Sequence, residues 1–176
     1  NESEVLPTDV RQKLDISNFA KKEWNSAPGE GVKPDGSFKT WIFGAINVHD
    51  AAYTFDPTYR IGEVMSANGV KCMVLVQEPH ARHWQNGTKY VAKIIETNSK
   101  NIGPYAYPKM IAADAQDGME YPMLTLDGGS DPGYRGLFIH EISHNWFFGM
   151  LGTNETYRAF MDEGFTQFAT NDGWEN

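Results

Sequence analysis

Apolar positions along the chain change period from strand-like to helical as the sequence proceeds. Lys39–Val48 is a mainly apolar run that reads as a strand. Arg60–Ala67 and Val70–Gln77 flank Asn68-Gly69, a dipeptide that strongly signals a hairpin. Over residues 81–102, Trp84, Tyr90, Val91, Ile94, Ile95 and Ile102 share one side of a helix that Gly103-Pro104 stops. A short strand at Lys109–Ala113 follows, then one at Met119–Leu126, which Pro122 confines to a sheet edge. Asp131 fits an N-cap and Pro132 a first helical position, predicting a helix that ends near Gly149–Gly152. Asn154 caps a further helix over roughly 155–171, carrying Tyr157, Phe160, Met161, Phe165 and Phe168. Residues 1–38 are polar and mixed, with a short helix expected after Pro7 and a loop across Pro28–Gly36. Strands first and helices later predict an α+β fold, with a leader of residues 1–38 and a body of residues 39–176.

The chemistry concentrates in the first of the late helices. His140-Glu141-Ile142-Ser143-His144 puts two histidines at i and i+4, on one helical face, where both imidazoles reach one cation. Two histidines and one carboxylate are a common catalytic zinc set, with the fourth position open. Glu163, eighteen residues beyond His144, sits within the next helix and supplies that carboxylate. Glu141 lies near the open position, where it can take a proton from water. A charged, solvated helix turn with two accidental histidines is the bland alternative. The flanks argue against it: Leu137-Phe138-Ile139 and Trp146-Phe147-Phe148 make the helix apolar almost all round, hence buried, and buried polar groups need partners.

Together these residues, Gly164-Phe165 after them and Asp117-Gly118-Met119-Glu120-Tyr121 before them resemble the M1 family of zinc aminopeptidases, gluzincins with a thermolysin-like catalytic domain. The family's strand motif is kept at Gly118-Met119-Glu120; it departs at Asp117 and at Tyr121, where asparagine is usual. Asn47-Val48-His49-Asp50 with Phe55-Asp56-Pro57 resembles the entry to the catalytic domain in bacterial members. The resemblance implies one zinc ion on His140, His144 and Glu163, Glu141 as general base, and Glu120, with Gly118 and Met119, binding the free amino group of a peptide. A carboxylate fixed one residue from the metal makes cleavage exopeptidic.

Family members are several times longer and carry a downstream tyrosine that holds the oxyanion. No tyrosine here matches it, so the chain resembles a fragment whose parent supplies further domains. Apolar surface is then expected around Trp146–Phe148 and Phe165–Phe168, with self-association. The alternatives are a zinc endopeptidase or other zinc hydrolase on the same scaffold, for which Tyr121 is the support, and a catalytically inactive metal-binding or interaction fragment.

Composition narrows the partners. A net charge of −8 argues against nucleic acid and anionic membranes, and no apolar run approaches a membrane span. Cys72, the single cysteine, reads as a packing residue, and the compartment stays open, an exported location slightly favoured. His80 and His83 read as surface or packing histidines, and His49-Asp50 as a hydrogen-bonded pair. Thr166, one turn after Glu163, is placed to orient a ligand.

Overall fold

The computed structural model describes residues 6–175, so residues 1–5 of the leader lie outside the described residues. The fold is α+β, a four-stranded mixed sheet with helices. Strands β1 (Tyr59–Met65), β2 (Lys71–Gln77), β3 (Lys109–Asp114) and β4 (Leu124–Asp127) lie side by side in that order. The leader contributes helix α1 (Thr8–Leu14); α2 is Gly87–Asn101, α3 is Arg135–His144, α4 is Glu155–Ala159 and α5 is Phe165–Glu175.

The hairpin forms where Asn68-Gly69 predicts it. Gly69 has φ +82°, which a side chain disfavours, and β1 and β2 pair antiparallel from Tyr59 opposite Gln77 to Met65 opposite Lys71. From there the pairing turns parallel. Helix α2 crosses over from β2 to β3, with Cys72 beside Met110 and Val74 beside Ala112, and β3 runs parallel to β4. Cys72, Val74, Val76, Met110 and Ala112 from the sheet, Val91 and Ile95 from α2, and Phe138 and Ile142 from α3 share one core with Trp84. Each fully buried Val, Ile, Phe or Met among them contributes roughly 1.5–3 kcal/mol. The core seats α3, and with it the two histidines, against the sheet.

Several expectations are corrected. Lys39–Val48 forms no strand, and the first half of the described chain is not β-rich; strands span residues 59–127. A strand needs a neighbour for its N–H and C=O groups, and Lys39–Val48 pairs with none among the described residues. Asp15 bridges Ile61 on β1 instead. The 119–126 strand shrinks to β4 and an antiparallel bridge between Met119 and Leu126, because the chain turns at Tyr121–Leu124. β4 is nonetheless the last strand of the sheet. Residues 81–102 divide into a 3-10 turn, Glu78–Trp84, and α2. Regular hydrogen bonding in α3 starts at Arg135, and Asp131 binds the Arg135 side chain at 2.8 Å rather than capping. Trp146 and Phe148 are buried, so of the two expected apolar surfaces only Phe165–Phe168 is exposed, with Phe160 beside it.

A buried carboxylate helps to tie the leader to the sheet, beside the Asp15 bridge and the Arg11–Glu63 ion pair. Glu78 is buried and takes hydrogen bonds from Lys22 Nζ and Gly29 N, both at 2.7 Å, and from Arg60. Burial opposes its charge, but these donors outweigh burial and hold its pKa below the usual carboxylate range.

Candidate active site

Helix α3 presents His140 and His144 one turn apart with perpendicular rings, centroids 4.6 Å apart. Their Nε2 atoms are 3.1 Å from each other. Glu163 arrives from a π-helical turn, Phe160–Gly164, between α4 and α5. Its Oε2 lies 3.3 Å from His140 Nε2 and 3.6 Å from His144 Nε2. Three donors on one ion at ~2.0–2.1 Å in a tetrahedral arrangement stand about 3.3 Å apart. The observed triangle has that size.

The far side of each ring decides whether a cation fits. Thr170 Oγ1 donates to Thr166 O at 2.8 Å, so at 3.3 Å from His140 Nδ1 it is placed to accept. His144 Nδ1 meets the Asp162 carboxylate, an acceptor, with Thr166 Oγ1 at 3.2 Å. With the ring protons on Nδ1, both Nε2 atoms are bare lone pairs facing each other and a carboxylate oxygen. That arrangement is repulsive until a positive charge sits among the three, so the donor set fits a divalent, nitrogen-preferring cation. Burial, then the neighbouring His144, pushes the His140 pKa down. Burial also works against charge on His144, but its contact with Asp162 outweighs burial and the net shift is upward.

Glu141 projects from the same helix into a different environment. It is buried, and its Oε2 has no hydrogen-bond partner. Burial, then the nearby charges of Asp127, Glu120 and Glu163, raises its pKa to about 8. Gly118 lies directly against the Glu141 carboxyl group. Met119 pairs with Leu126 through N–H···O bonds of 3.1 and 2.8 Å, which carries the half-buried Glu120 to the same centre. One Glu120 oxygen lies within 4.8 Å of ligand atoms on both His144 and Asp162. Burial raises the Glu120 pKa, with His144 opposing. The structure thus gathers Gly118, Glu120, His140, Glu141, His144 and Glu163 around one point, and Met119 anchors the strand.

Four residues in or beside the site carry no obvious sequence signal. Asp162 and Thr170 support the histidines; their i, i+4 and i+8 spacing with Thr166 was the available clue. Asp127 is fully buried near Glu141, with its Oδ1 unpartnered. Asn145 Oδ1 accepts from Met123 N at 2.9 Å and Tyr105 OH at 3.2 Å, pinning the Glu120 turn to the end of α3. Thr166 contacts His144 as its position suggests.

The other histidines stand apart. His49 does not pair with Asp50; its Nε2 donates to the Phe148 carbonyl at 2.7 Å, while Asp50 takes the Ala51 N–H. His80 binds Asp114 at 2.6 Å and stacks on Trp24, with His83 against that ring's edge. The two candidate metal-ligand groups among the described residues both contain His144 and neither includes His49, His80 or His83.

Comparison with known proteins gives a class and then particular relatives. No family model matches the chain. Its similarity is to peptidases. It is 34% identical over 99 residues to Aminopeptidase B of Rattus norvegicus and of Homo sapiens, covering 51% of this chain and 15% of either relative. To Aminopeptidase B of Mus musculus it is 35% identical over 89 residues, covering 45% of this chain and 14% of the relative. The chain therefore spans a small part of the curated relatives it matches. The likeness names an aminopeptidase and supports a peptidase-related chain.

Proposed function

We propose that the chain carries the metal-binding and base-bearing part of a zinc aminopeptidase of the M1, thermolysin-like kind. The observation that carries this reading is the triangle of His140 Nε2, His144 Nε2 and Glu163 Oε2, with sides of 3.1, 3.3 and 3.6 Å. Beside it stands Glu141, buried with an unpartnered oxygen. The partial likeness to Aminopeptidase B agrees in class.

His140, His144 and Glu163 would hold the zinc, which when bound supplies Lewis-acid polarisation of the scissile carbonyl. Glu141 takes a proton from the attacking water as the O–C bond forms. It returns that proton to the amine nitrogen as the C–N bond breaks. Positive charge at the three donors favours the ionised Glu141 that this role needs. Glu120 pairs with the α-ammonium group of the peptide, so that one residue spans the distance from chain end to the scissile bond. Burial raises its pKa, and a bound ammonium group would offset that cost. The partners on this reading are peptides with a free N-terminus and the remaining domains of a longer parent.

Two measurements test it. Zinc content after reconstitution should approach one ion per chain in wild type and collapse in His140→Ala; equal, negligible content in both refutes the metal site. In the complete enzyme, Glu141→Gln should keep zinc and lose about 10²–10⁴ in rate. Tyr121 in place of the usual asparagine favours the endopeptidase alternative. Comparing free with N-acetylated peptides separates the two, since only an aminopeptidase requires the free amine.

A further inference from the structure

We propose that Asp162 is the positioning residue for His144, holding the ring in the tautomer whose Nε2 offers its lone pair toward His140 and Glu163. The inference rests on the metal-site reading above and concerns a residue outside its ligand set.

Asp162 and His144 are both almost fully buried, each side chain 1% exposed. A carboxylate at that depth needs a donor, and the His144 Nδ1–H is one it meets, with Glu155 reaching the same carboxylate. Glu163 follows Asp162 in sequence, yet the two carboxylates address opposite nitrogens of one imidazole. Asp162 Oδ1 is on Nδ1, and Glu163 Oε2 is 3.6 Å from Nε2. Both lie in the π-helical turn Phe160–Gly164. Their exposures differ as their roles do: Glu163 is 56% exposed and faces the open side, while Asp162 is sealed behind the ring.

Asp162 also belongs to a group of possible ligands with Glu120 and His144. The ring geometry argues for support rather than ligation. Nδ1 and Nε2 point away from each other, so a carboxylate engaged with Nδ1 is not aimed at an ion on Nε2. Thr166, four residues on, adds its hydroxyl to the same nitrogen, and Thr170 does the equivalent for His140. Ring N–H groups held from behind fix both tautomer and orientation, and losing such a partner typically weakens metal binding ~10- to 100-fold.

The test uses zinc as the probe, titrated against a competing chelator, and nitrogen-15 NMR of the metal-free chain to read the His144 tautomer. Wild type should carry its ring proton on Nδ1. Asp162→Ala should move population to Nε2–H and weaken zinc ~10- to 100-fold. Asp162→Asn should weaken it less, since an amide oxygen still accepts the proton without the charge, and this shape-preserving variant decides the matter if Asp162→Ala fails to fold. Unchanged zinc affinity in both variants overturns the proposal. So does a wild-type His144 already protonated on Nε2, or X-ray absorption showing one fewer oxygen ligand in Asp162→Asn. Wild type binding no more zinc than His140→Ala sinks the metal reading instead, and the tautomer measurement still decides whether Asp162 orients the ring.

Discussion

A Cβ atom on Gly118 would lie 2.1 Å from Oε1 of Glu141 and 2.9 Å from Leu137 Cδ1. The glycine of the Gly118-Met119-Glu120 run is therefore the wall against which the carboxyl group of the helix motif rests. Two sequence motifs twenty residues apart meet at this contact, and each constrains the other. Gly118→Ala should force Glu141 aside, at a cost of about 1–3 kcal/mol for overpacking. A displaced Glu141 leaves the site that raises its pKa to about 8. Carboxyl titration by NMR should then show it falling toward the ordinary range of about 4.3. A Glu141 titration identical in the two proteins would mean that the wall yields and the carboxyl does not.

Zinc should stabilise the folded chain by mass action, since the three donors converge only when it is folded. Free zinc at 100 times its Kd adds about 2.7 kcal/mol, reversed by a chelator. The ligand variants should separate by burial. Glu163 is more than half exposed, so Glu163→Ala should leave the metal-free chain within about ±0.5 kcal/mol while abolishing the zinc-dependent gain. His144 is buried, so His144→Ala should lower both. Thermal melts with and without zinc read both quantities, and a full zinc response in Glu163→Ala would remove it from the ligand set.

The residues that converge were legible because their spacing is local and their chemistry rare. His140 and His144 share a face at i, i+4 whatever the surroundings, and Asn68-Gly69 dictates its own hairpin. Asp162 was not legible, because an ordinary helix turns successive residues about 100° apart. In the folded chain it and Glu163 share a π turn and meet His144 at its two nitrogens. Lys39–Val48 failed for the opposite reason. Its pattern suits a strand, but a strand exists only with a partner, and β1 is already bridged by Asp15. Asp127 and Asn145 gave no signal, since their roles depend on long-range packing that a pattern along the chain does not encode.

Asp127 makes stability depend on pH. It is fully buried, accepts from Thr125 Oγ1 at 2.8 Å, and burial raises its pKa to about 7. The unfolded value is about 3.9. The folded chain therefore keeps a proton that the unfolded chain has released. Its contribution is complete below about pH 4 and is lost as pH rises through about 7. At ~1.4 kcal/mol per unit, the loss is at most ~4 kcal/mol. Asp127→Asn removes the titration. Urea unfolding of the metal-free chain should show the variant gaining on wild type between pH 5 and pH 8, and a constant difference across that range would place the Asp127 proton elsewhere.

The last prediction concerns the surface. Phe160, Phe165 and Phe168 are 65, 51 and 72% exposed, and with Gly164 they line one apolar hollow. They follow one another at i, i+5 and i+8 across the π turn and α5, so they form a stripe rather than scattered positions. The opposite side of the same segment carries buried Asp162, Thr166, Ala169 and Thr170. A stripe of this kind, with Phe38, Ile42, Phe43 and Ile46 exposed as well, favours association in water. Sedimentation of the isolated chain should show mass rising with concentration. Phe160→Ser with Phe168→Ser should shift the distribution toward monomer without touching the zinc donors, so zinc uptake stays at the wild-type level. Exposed positions contribute little to the core, and unfolding free energy should change by no more than about 0.5 kcal/mol per site. A strictly monomeric wild type at high concentration would show that the stripe is tolerated in water. Association that persists in the double variant would move the sticky surface to the Phe38–Ile46 segment.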